Sequence, residues 1–422
     1  VNPVRCSLSN GIKLVKILLR KLKQAKLSKR KVKITALVLL VLVSIFLVGK
    51  ILPLNQPQKL ESYIQKADFL YEEGEYQKAK KIYKKVIEKF PHQKQIERSL
   101  YQIANCYQKL GLFSRASVFY EDFLRQYPNS EYLIQAEYNL ITCYKTTGNL
   151  DKACEISRRV INSFPENKEI PNFYLILADC LSEQGRLREA IPIYQKITHQ
   201  YHQSPQAAQS YLKLGDIYFQ QKQFSEAILH YIYIVKEYPK SSLQDKALLS
   251  LARCYLYQKE IDKTLSLLDL LRGKFPNSEL TEKSLFLTGE ALYQGKNYKR
   301  ALEVFQRMEK LYQKKPSSLS AIQREIAKIY LAQNDYNKAI DIYEKILKDY
   351  PYSPDEDKIY LKLAQLYKKS GNYKKVAQFL EKFIKYFPLS ANIGIAYFNL
   401  GDCLLYTSDA ADDMQCVDLG GR

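Results

Sequence analysis

Residues 90–128 read FPHQKQIERSLYQIANCYQKLGLFSRASVFYEDFLRQYP. The stretch opens and closes on an aromatic residue followed by proline, Phe90-Pro91 and Tyr127-Pro128. Between them lie two amphipathic segments separated by Gly111. In the first, Ala104 is followed three positions later by Tyr107; in the second, Ala116 is followed four positions later by Tyr120. Both spacings place a small and a large residue on one helical face. Glycine suits a helix C-terminus, where φ turns positive. Proline cannot continue a helix, so the second segment stops at Tyr127-Pro128. The stretch predicts two helices joined by a tight turn.

The pattern recurs. Phe90, Tyr127, Phe164, Tyr201, Tyr238, Phe275, Tyr312, Tyr350 and Phe387 follow one another at 37 residues, with one step of 38 before Tyr350. Proline follows each directly, except that it is delayed to Pro205 and Pro316 after Tyr201 and Tyr312. A fixed period of this length means stacked repeats. The small first-helix residue returns as Ala67, Ala104, Ala178, Gly215, Ala252, Gly289, Ala327, Ala364 and Gly401. It lets a neighbouring helix approach, and the large residue three positions on fills the gap. Gly74, Gly111, Gly148, Gly185 and Gly371 share the turn register, where other units carry Lys222, Lys259, Lys296 or Asn334. Turns without glycine are expected to be costlier or different in shape. Ser130, Ser241, Ser278, Ser353 and Ser390 fall where the next helix needs an N-cap.

These residues resemble the tetratricopeptide repeats, whose helix–turn–helix signature has the small residue, the Tyr, the second-helix Ala and the closing Pro. The resemblance covers about residues 58–403. The period of 37 exceeds the family's usual 34, so each first helix is expected to carry about one extra turn. The phrase YPNSEYLIQAEY at 127–138 is similar to the repeats of outer-membrane barrel-assembly lipoproteins and TolA-binding periplasmic proteins. VNPVRCS, around Cys6, lacks the lipoprotein box of the lipidated members. The fold class is therefore all-α: a right-handed α-solenoid of about nine repeats plus a truncated tenth over 61–403.

The resemblance implies a concave face lined by first helices, for a protein or peptide ligand. Its candidate residues are Tyr101, Asn105, Tyr138, Leu175, Asp179, Leu212, Asp216, Leu249, Arg253, Phe286 and Glu290. Rings among polar groups suit a peptide groove; the competing reading of each ring is inter-repeat core. Some family members clamp a C-terminal carboxylate with Lys and Asn. Asn105 and Asn139 sit near those places, but Tyr101 replaces the Lys, so the clamp is incomplete.

The chain carries 65 basic and 44 acidic residues in 422, a net charge of +21. Twelve of the cations and no carboxylate lie within residues 1–55, leaving a mildly basic body. That arm adjoins ITALVLLVLVSIFLVG, sixteen uncharged residues between Lys33 and Lys50, extended by Ile51 and Leu52. With snorkelling lysines, about 20 residues can span a bilayer. The reading is a transmembrane signal-anchor helix at 34–54 and a linker at 55–60; a cleaved signal peptide is the alternative. Cations before the span place the N-terminus in the cytoplasm and the repeats outside it, at the inner membrane facing the periplasm. In the arm, 1–33, Val15, Leu18, Leu22 and Ala25 fall at helical spacing among Lys13, Lys16, Arg20, Lys21 and Lys23. This reads as an amphipathic helix on the anionic inner leaflet, or as a solvated basic tail.

Val1 in place of Met makes an incomplete N-terminus an expectation. Residues 404–422, LLYTSDAADDMQCVDLGGR, lose the repeat register and resemble translated adapter sequence, so a longer native chain is expected.

No chemistry is nominated. Cys106, Cys143, Cys180, Cys254 and Cys403 share one repeat position with Ile217, Ala291, Ile329 and Leu366, a buried apolar slot and not a disulfide or zinc framework. His199 and His202 form an HxxH pair without an evident third ligand. His92 and His230 are isolated, and no phosphate loop, nucleophile elbow or dinucleotide fingerprint occurs. Neither cofactor, metal nor nucleic acid is expected, and the chain reads as a scaffold and not an enzyme. The rival readings are an accessory subunit of an envelope polymer-export or cell-wall machine, or the binding part of a longer enzyme. A carbohydrate groove would show rings side by side in one plane.

Overall fold

The computed structural model describes residues 56–91, 95–313, 315–351 and 356–405. The basic arm, the apolar run at 34–54, Ser353 and the tail beyond 405 lie outside the described residues. Among the described residues every regular element is a helix: eighteen helices are paired along the chain, and residues 393–405 are helical as well. No described helix is long and apolar enough to cross a membrane.

The chain divides into two compact units after Pro165. The first holds the pairs α1 (Gln56–Glu72) and α2 (Tyr76–Lys89), α3 (Gln95–Lys109) and α4 (Phe113–Gln126), α5 (Leu133–Thr146) and α6 (Leu150–Ser163). The second holds α7 (Ile170–Glu183) and α8 (Leu187–Gln200), α9 (Pro205–Gln220) and α10 (Phe224–Glu237), α11 (Gln244–Tyr257) and α12 (Ile261–Lys274). It continues with α13 (Thr281–Gln294) and α14 (Tyr298–Leu311), α15 (Pro316–Ala332) and α16 (Tyr336–Asp349), α17 (Glu356–Lys369) and α18 (Tyr373–Tyr386). Within each unit a helix packs on its own partner and on the first helix of the next pair. No pair could cover its apolar face alone, and stacking supplies the cover.

The small–large code holds the pairs together. Ala67, Ala104, Ala178 and Ala252 are fully buried, as are Ala79, Ala116, Ala190 and Ala227 on the second helices. Tyr83, Tyr120 and Tyr194 fill the gap at 0% exposure, each such burial stabilising by roughly 1.5–3 kcal/mol. The cysteine slot is confirmed: Cys106, Cys143, Cys180 and Cys254 are buried and form no disulfide. Burial pushes Cys106 and Cys254 up to about 12 and Cys143 up to about 11.

Every described second helix closes as expected, with its aromatic residue as C-cap; the Tyr127 N–H bonds the Phe123 carbonyl at 2.9 Å. Three other expectations change. Turns without glycine keep the same shape: Lys222, Lys259, Lys296 and Asn334 adopt φ of 59–63°, beside 72–78° for the five glycines. Gln223 N reaches the Tyr218 carbonyl at 2.9 Å just as Glu75 N reaches Leu70 at 2.8 Å. The same helix-ending bond is therefore made, with a Cβ carried in left-handed backbone. The extra length of the repeat lies in the first helix of some repeats and not of others. Helices α1, α9 and α15 have 17, 16 and 17 residues, whereas α5 and α6 have 14 each and the added residues fall in the connection 164–169. The serines cap that connection instead of the helix. Ser130, Ser241 and Ser278 accept from the N–H two positions on, at 3.0, 3.2 and 3.1 Å, forming a serine turn one step ahead of the helix. Ser278 and Ser390 also donate to Asp245 and Asp357 of the preceding repeat, at 2.6 and 2.9 Å.

Candidate functional site

In the first unit, the first-helix face is built on a hydrogen-bond network. The Tyr120 hydroxyl, rising from α4, donates to Asn105 on α3, and the Gln108 side-chain oxygen lies 2.8 Å from the same hydroxyl. Asn139 on α5 donates to the same Asn105 oxygen at 3.1 Å. Tyr101 is 8% exposed, stacked on Tyr132 at 5.0 Å and packed 5.7 Å from Phe123. It therefore belongs to the core, which corrects its placement as a groove residue. Tyr138, one position from Asn139, is the nominated ring that reaches solvent, at 36% exposure.

The second unit repeats the plan. Tyr194 donates to Asp179 at 2.6 Å and Tyr231 to Asp216 at 2.7 Å. Burial, and then the bond to a carboxylate, push both phenols far above the usual tyrosine range. Asp216 is itself raised by burial, against the hydroxyl and the nearby Lys213 and Arg253 cations. Leu175, 9% exposed, is core, a second correction. Leu212, Leu249 and Phe286 are half-buried in one register, and Phe286 meets Phe305 edge-on at 5.5 Å. Arg253 is exposed, with its guanidinium 4.8 Å above the Phe219 ring. Burial and the neighbouring Glu325 raise Glu290.

The structure brings Asp216 and Arg253 together around a cavity of about 340 Å³ with Phe219 and Ser250. A larger one, about 790 Å³, was missed by the sequence reading and is lined by Arg324, Lys328, Lys358 and Lys362. Its signal was present: Arg324 and Lys328 stand one period beyond Phe286 and Glu290. The aromatic array on α9 and α10 is not a flat row. Tyr211 stacks on Tyr233 at 4.3 Å and Tyr218 on His230 at 5.3 Å, so these rings cover one another's faces. His199 binds the Gln195 carbonyl at 2.6 Å. Among the described residues no three His, Cys, Asp or Glu side chains are grouped to hold a metal. The membrane-surface candidates Lys13, Lys16, Arg20, Lys21 and Lys23 lie outside the described residues.

Tetratricopeptide-repeat models match this chain at residues 70–137, 135–167, 169–232 and 246–278. The chain is a tetratricopeptide-repeat protein. A model described as outer membrane lipoprotein (YfiO) matches the same protein's later repeats, at 278–361 and 323–416. No curated protein matches it. Solved structures similar to this repeat protein include a tetratricopeptide repeat protein from Parabacteroides merdae, at 15% identity and TM-score 0.46, covering 65% of this chain and 98% of that one. Yeast Tom70 is similar at 11% identity and TM-score 0.41, covering 87% and 100%. MamA is similar at 18% identity and TM-score 0.34, covering 43% and 92%. Tetratricopeptide repeats bind protein partners, and this chain is a protein–protein interaction scaffold.

Proposed function

We propose that this scaffold is anchored in the inner membrane by residues 34–54 and holds a protein of the cell envelope on its first-helix face. It works by binding and not by catalysis. The observation that carries the reading is the row Leu212, Leu249 and Phe286, one per repeat in the same register, half-buried beside Arg253 and Glu290. Apolar anchors ringed by polar groups are what an extended partner segment needs. The likeness of the later repeats to an outer membrane lipoprotein family supports an envelope setting. The apolar run after a cation-rich arm supports an anchor with the repeats outside the cytoplasm.

Two measurements test it on the full chain. Protease added to intact spheroplasts should remove the repeats, and sealed inverted vesicles should protect them; the reverse pattern would overturn the topology. A photo-crosslinking residue at Leu249 should trap one discrete envelope protein, and the same residue at Lys299, on α14, should not. Identical products from both positions would remove the first-helix face from the account.

A further inference from the structure

Among the described second helices, α2 has the largest excess of positive charge. It carries Lys78, Lys80, Lys81, Lys84, Lys85 and Lys89 against Glu88 alone. By contrast α4 sets Arg115 and Arg125 against Glu121 and Asp122, and α16 sets Lys338, Lys345 and Lys348 against Asp341, Glu344 and Asp349. α18 comes nearest, with Lys374, Lys375, Lys382 and Lys385 against Glu381. The position of the excess is as informative as its size. α1 begins at Gln56, directly after the apolar run and its flank at 34–54. It has 17 residues, a length of about 25 Å, and α2 returns antiparallel to it after Gly74. Lys89 Nζ donates to the Tyr63 hydroxyl at 3.1 Å, which brings the end of α2 back beside the start of α1. The Tyr63 phenol is held below the usual tyrosine range by that bond first, with the charges of Lys89, Lys59 and Lys85 adding. Lys59, Lys84, Lys85 and Lys89 are all exposed at this end, and among the described residues none of them is ion-paired to a carboxylate. The carboxylates there are Glu61, which accepts from Gln65 at 3.2 Å, and Glu88. The opposite end has the other sign: Glu72, Glu73 and Glu75 are exposed around the turn, with Lys78 paired to Glu75 at 3.0 Å. The first helix pair is basic at its base and acidic at its tip.

From this polarity we infer that the base of the first helix pair, Lys59, Lys84, Lys85 and Lys89 around Tyr63, rests on the anionic phosphates of lipid headgroups beside the anchor. The inference rests on the anchor reading and names the surface that the first repeat meets. Attraction of a lysine to an anionic bilayer fades within a Debye length, so it acts only on residues held at the surface. An anchor ending just before Gln56 holds the base there, as a short tether raises the effective concentration of what it carries. Lysine stems can lie along apolar surface while their ammonium groups reach the phosphates, and tyrosine is a residue of membrane–water interfaces. A planar negative surface draws the base and repels the acidic tip, so the charge pattern also orients the pair. A small soluble anion would meet the base alone and make no use of the tip.

The chain contains no Trp, so one introduced Trp reports its own distance from lipid. The full chain is reconstituted into vesicles of phosphatidylcholine, alone or mixed with phosphatidylglycerol, that carry a quencher at headgroup depth. Glu88→Trp places the reporter at the base and Gln77→Trp places it near the tip; both positions are exposed. The base reporter should be quenched at least ~2-fold more in the anionic vesicles, and high salt should remove the difference. The tip reporter should not respond. Lys84→Gln, Lys85→Gln and Lys89→Gln together should return the base reporter to its value in phosphatidylcholine. Lys374→Gln, Lys382→Gln and Lys385→Gln, an equal charge change on α18, should leave it unchanged. Unchanged helical circular dichroism of both triple variants establishes that folding is not at issue. Equal losses from the two would reduce the effect to net charge and overturn the site, and equal quenching of base and tip would overturn the orientation. Loss of the difference when inorganic phosphate replaces chloride at equal ionic strength would assign the lysines to free phosphate and overturn the lipid assignment. Release of the chain from the vesicles by alkaline carbonate would sink the anchor reading and this inference with it; a retained chain whose base reporter ignores phosphatidylglycerol would sink this inference alone.

Discussion

Gly289 lies against the ring of Phe305, so close that an added Cβ would sit 2.4 Å from Cζ. The helix pair α13–α14 is locked at that distance. Gly289→Ala must therefore push the ring or the helix. Overpacking costs about 1–3 kcal/mol, and the roughly 1 kcal/mol by which alanine favours a helix over glycine offsets only part of it. Leu268 and Leu380 occupy the Phe305 register opposite Ala252 and Ala364. Phe305→Leu should accordingly restore much of what Gly289→Ala loses. Hydrogen exchange across α13 and α14 reads both changes locally, and the idea fails if the single variant is as protected as the parent.

The left-handed lysines predict a gain. Residues with a Cβ pay about 1–2 kcal/mol in that conformation, and no close neighbour surrounds the glycines at the equivalent turns. Lys259→Gly should raise the urea midpoint of the second unit, a stabilisation of about 0.5–1 kcal/mol after the extra freedom of glycine in the unfolded chain is subtracted. Gly148→Ala should lose a similar amount although its Cβ would touch nothing within 4 Å. A neutral Gly148→Ala would show that the turn can relax.

Glu137 and Arg159 give a pH test. The guanidinium Nη2 lies 2.9 and 3.0 Å from the two carboxylate oxygens. Burial raises Glu137, with the cation opposing. Between the ordinary carboxylate range and that raised value, the folded state holds more protons than the unfolded one. Stability from this group therefore falls as pH climbs through the window. Arg159→Met removes the opposing cation and should cost about 2 kcal/mol at neutral pH, less than for a fully buried pair, because the Arg159 side chain is 53% exposed. The loss should shrink near pH 4, where Glu137 takes up a proton. An equal loss at both pH values would assign the effect to the packing of the arginine stem.

Alkaline conditions should expose the tyrosine ladder. Burial holds Tyr83, Tyr120, Tyr194 and Tyr231 far above the usual phenol range. Once the unfolded chain begins to ionise these groups near pH 10, each withdraws about 1.4 kcal/mol per pH unit from the folded state. Tyrosinate absorbance should rise in two phases, the second coinciding with loss of helical signal. Tyr231→Phe should move that second phase to higher pH while lowering stability at neutral pH, since Asp216 loses its donor. A single smooth titration over all 35 tyrosines would contradict the ladder.

The repeat, its turns, its closing aromatic residues and the cysteine slot were legible because each depends on one residue type at one spacing. Local backbone demand and burial act within a single helix or turn, and periodicity displays them directly. The face was harder to read. Asn105, Asp179 and Asp216 look like free polar groups in a helical pattern, yet each accepts from a Tyr fifteen positions later on the partner helix. That bond crosses between helices, and a helical wheel carries no trace of it. Tyr101 and Leu175 sank into the core for a related reason: the stripe that faces the groove also borders the next repeat. The position of the added residues was illegible because a longer helix and a longer connection give the same period.

The serine and asparagine stitches between neighbouring repeats join residues 33 or 34 positions apart. A growing polypeptide emerging from the ribosome therefore never has to wait for a remote segment before a helix pair finds its cover. Once the following first helix is out of the exit tunnel, the pair behind it has its neighbour on that side. Assembly can keep pace with translation, one repeat behind the synthesis site, and each unit can accrete in the order in which it is made.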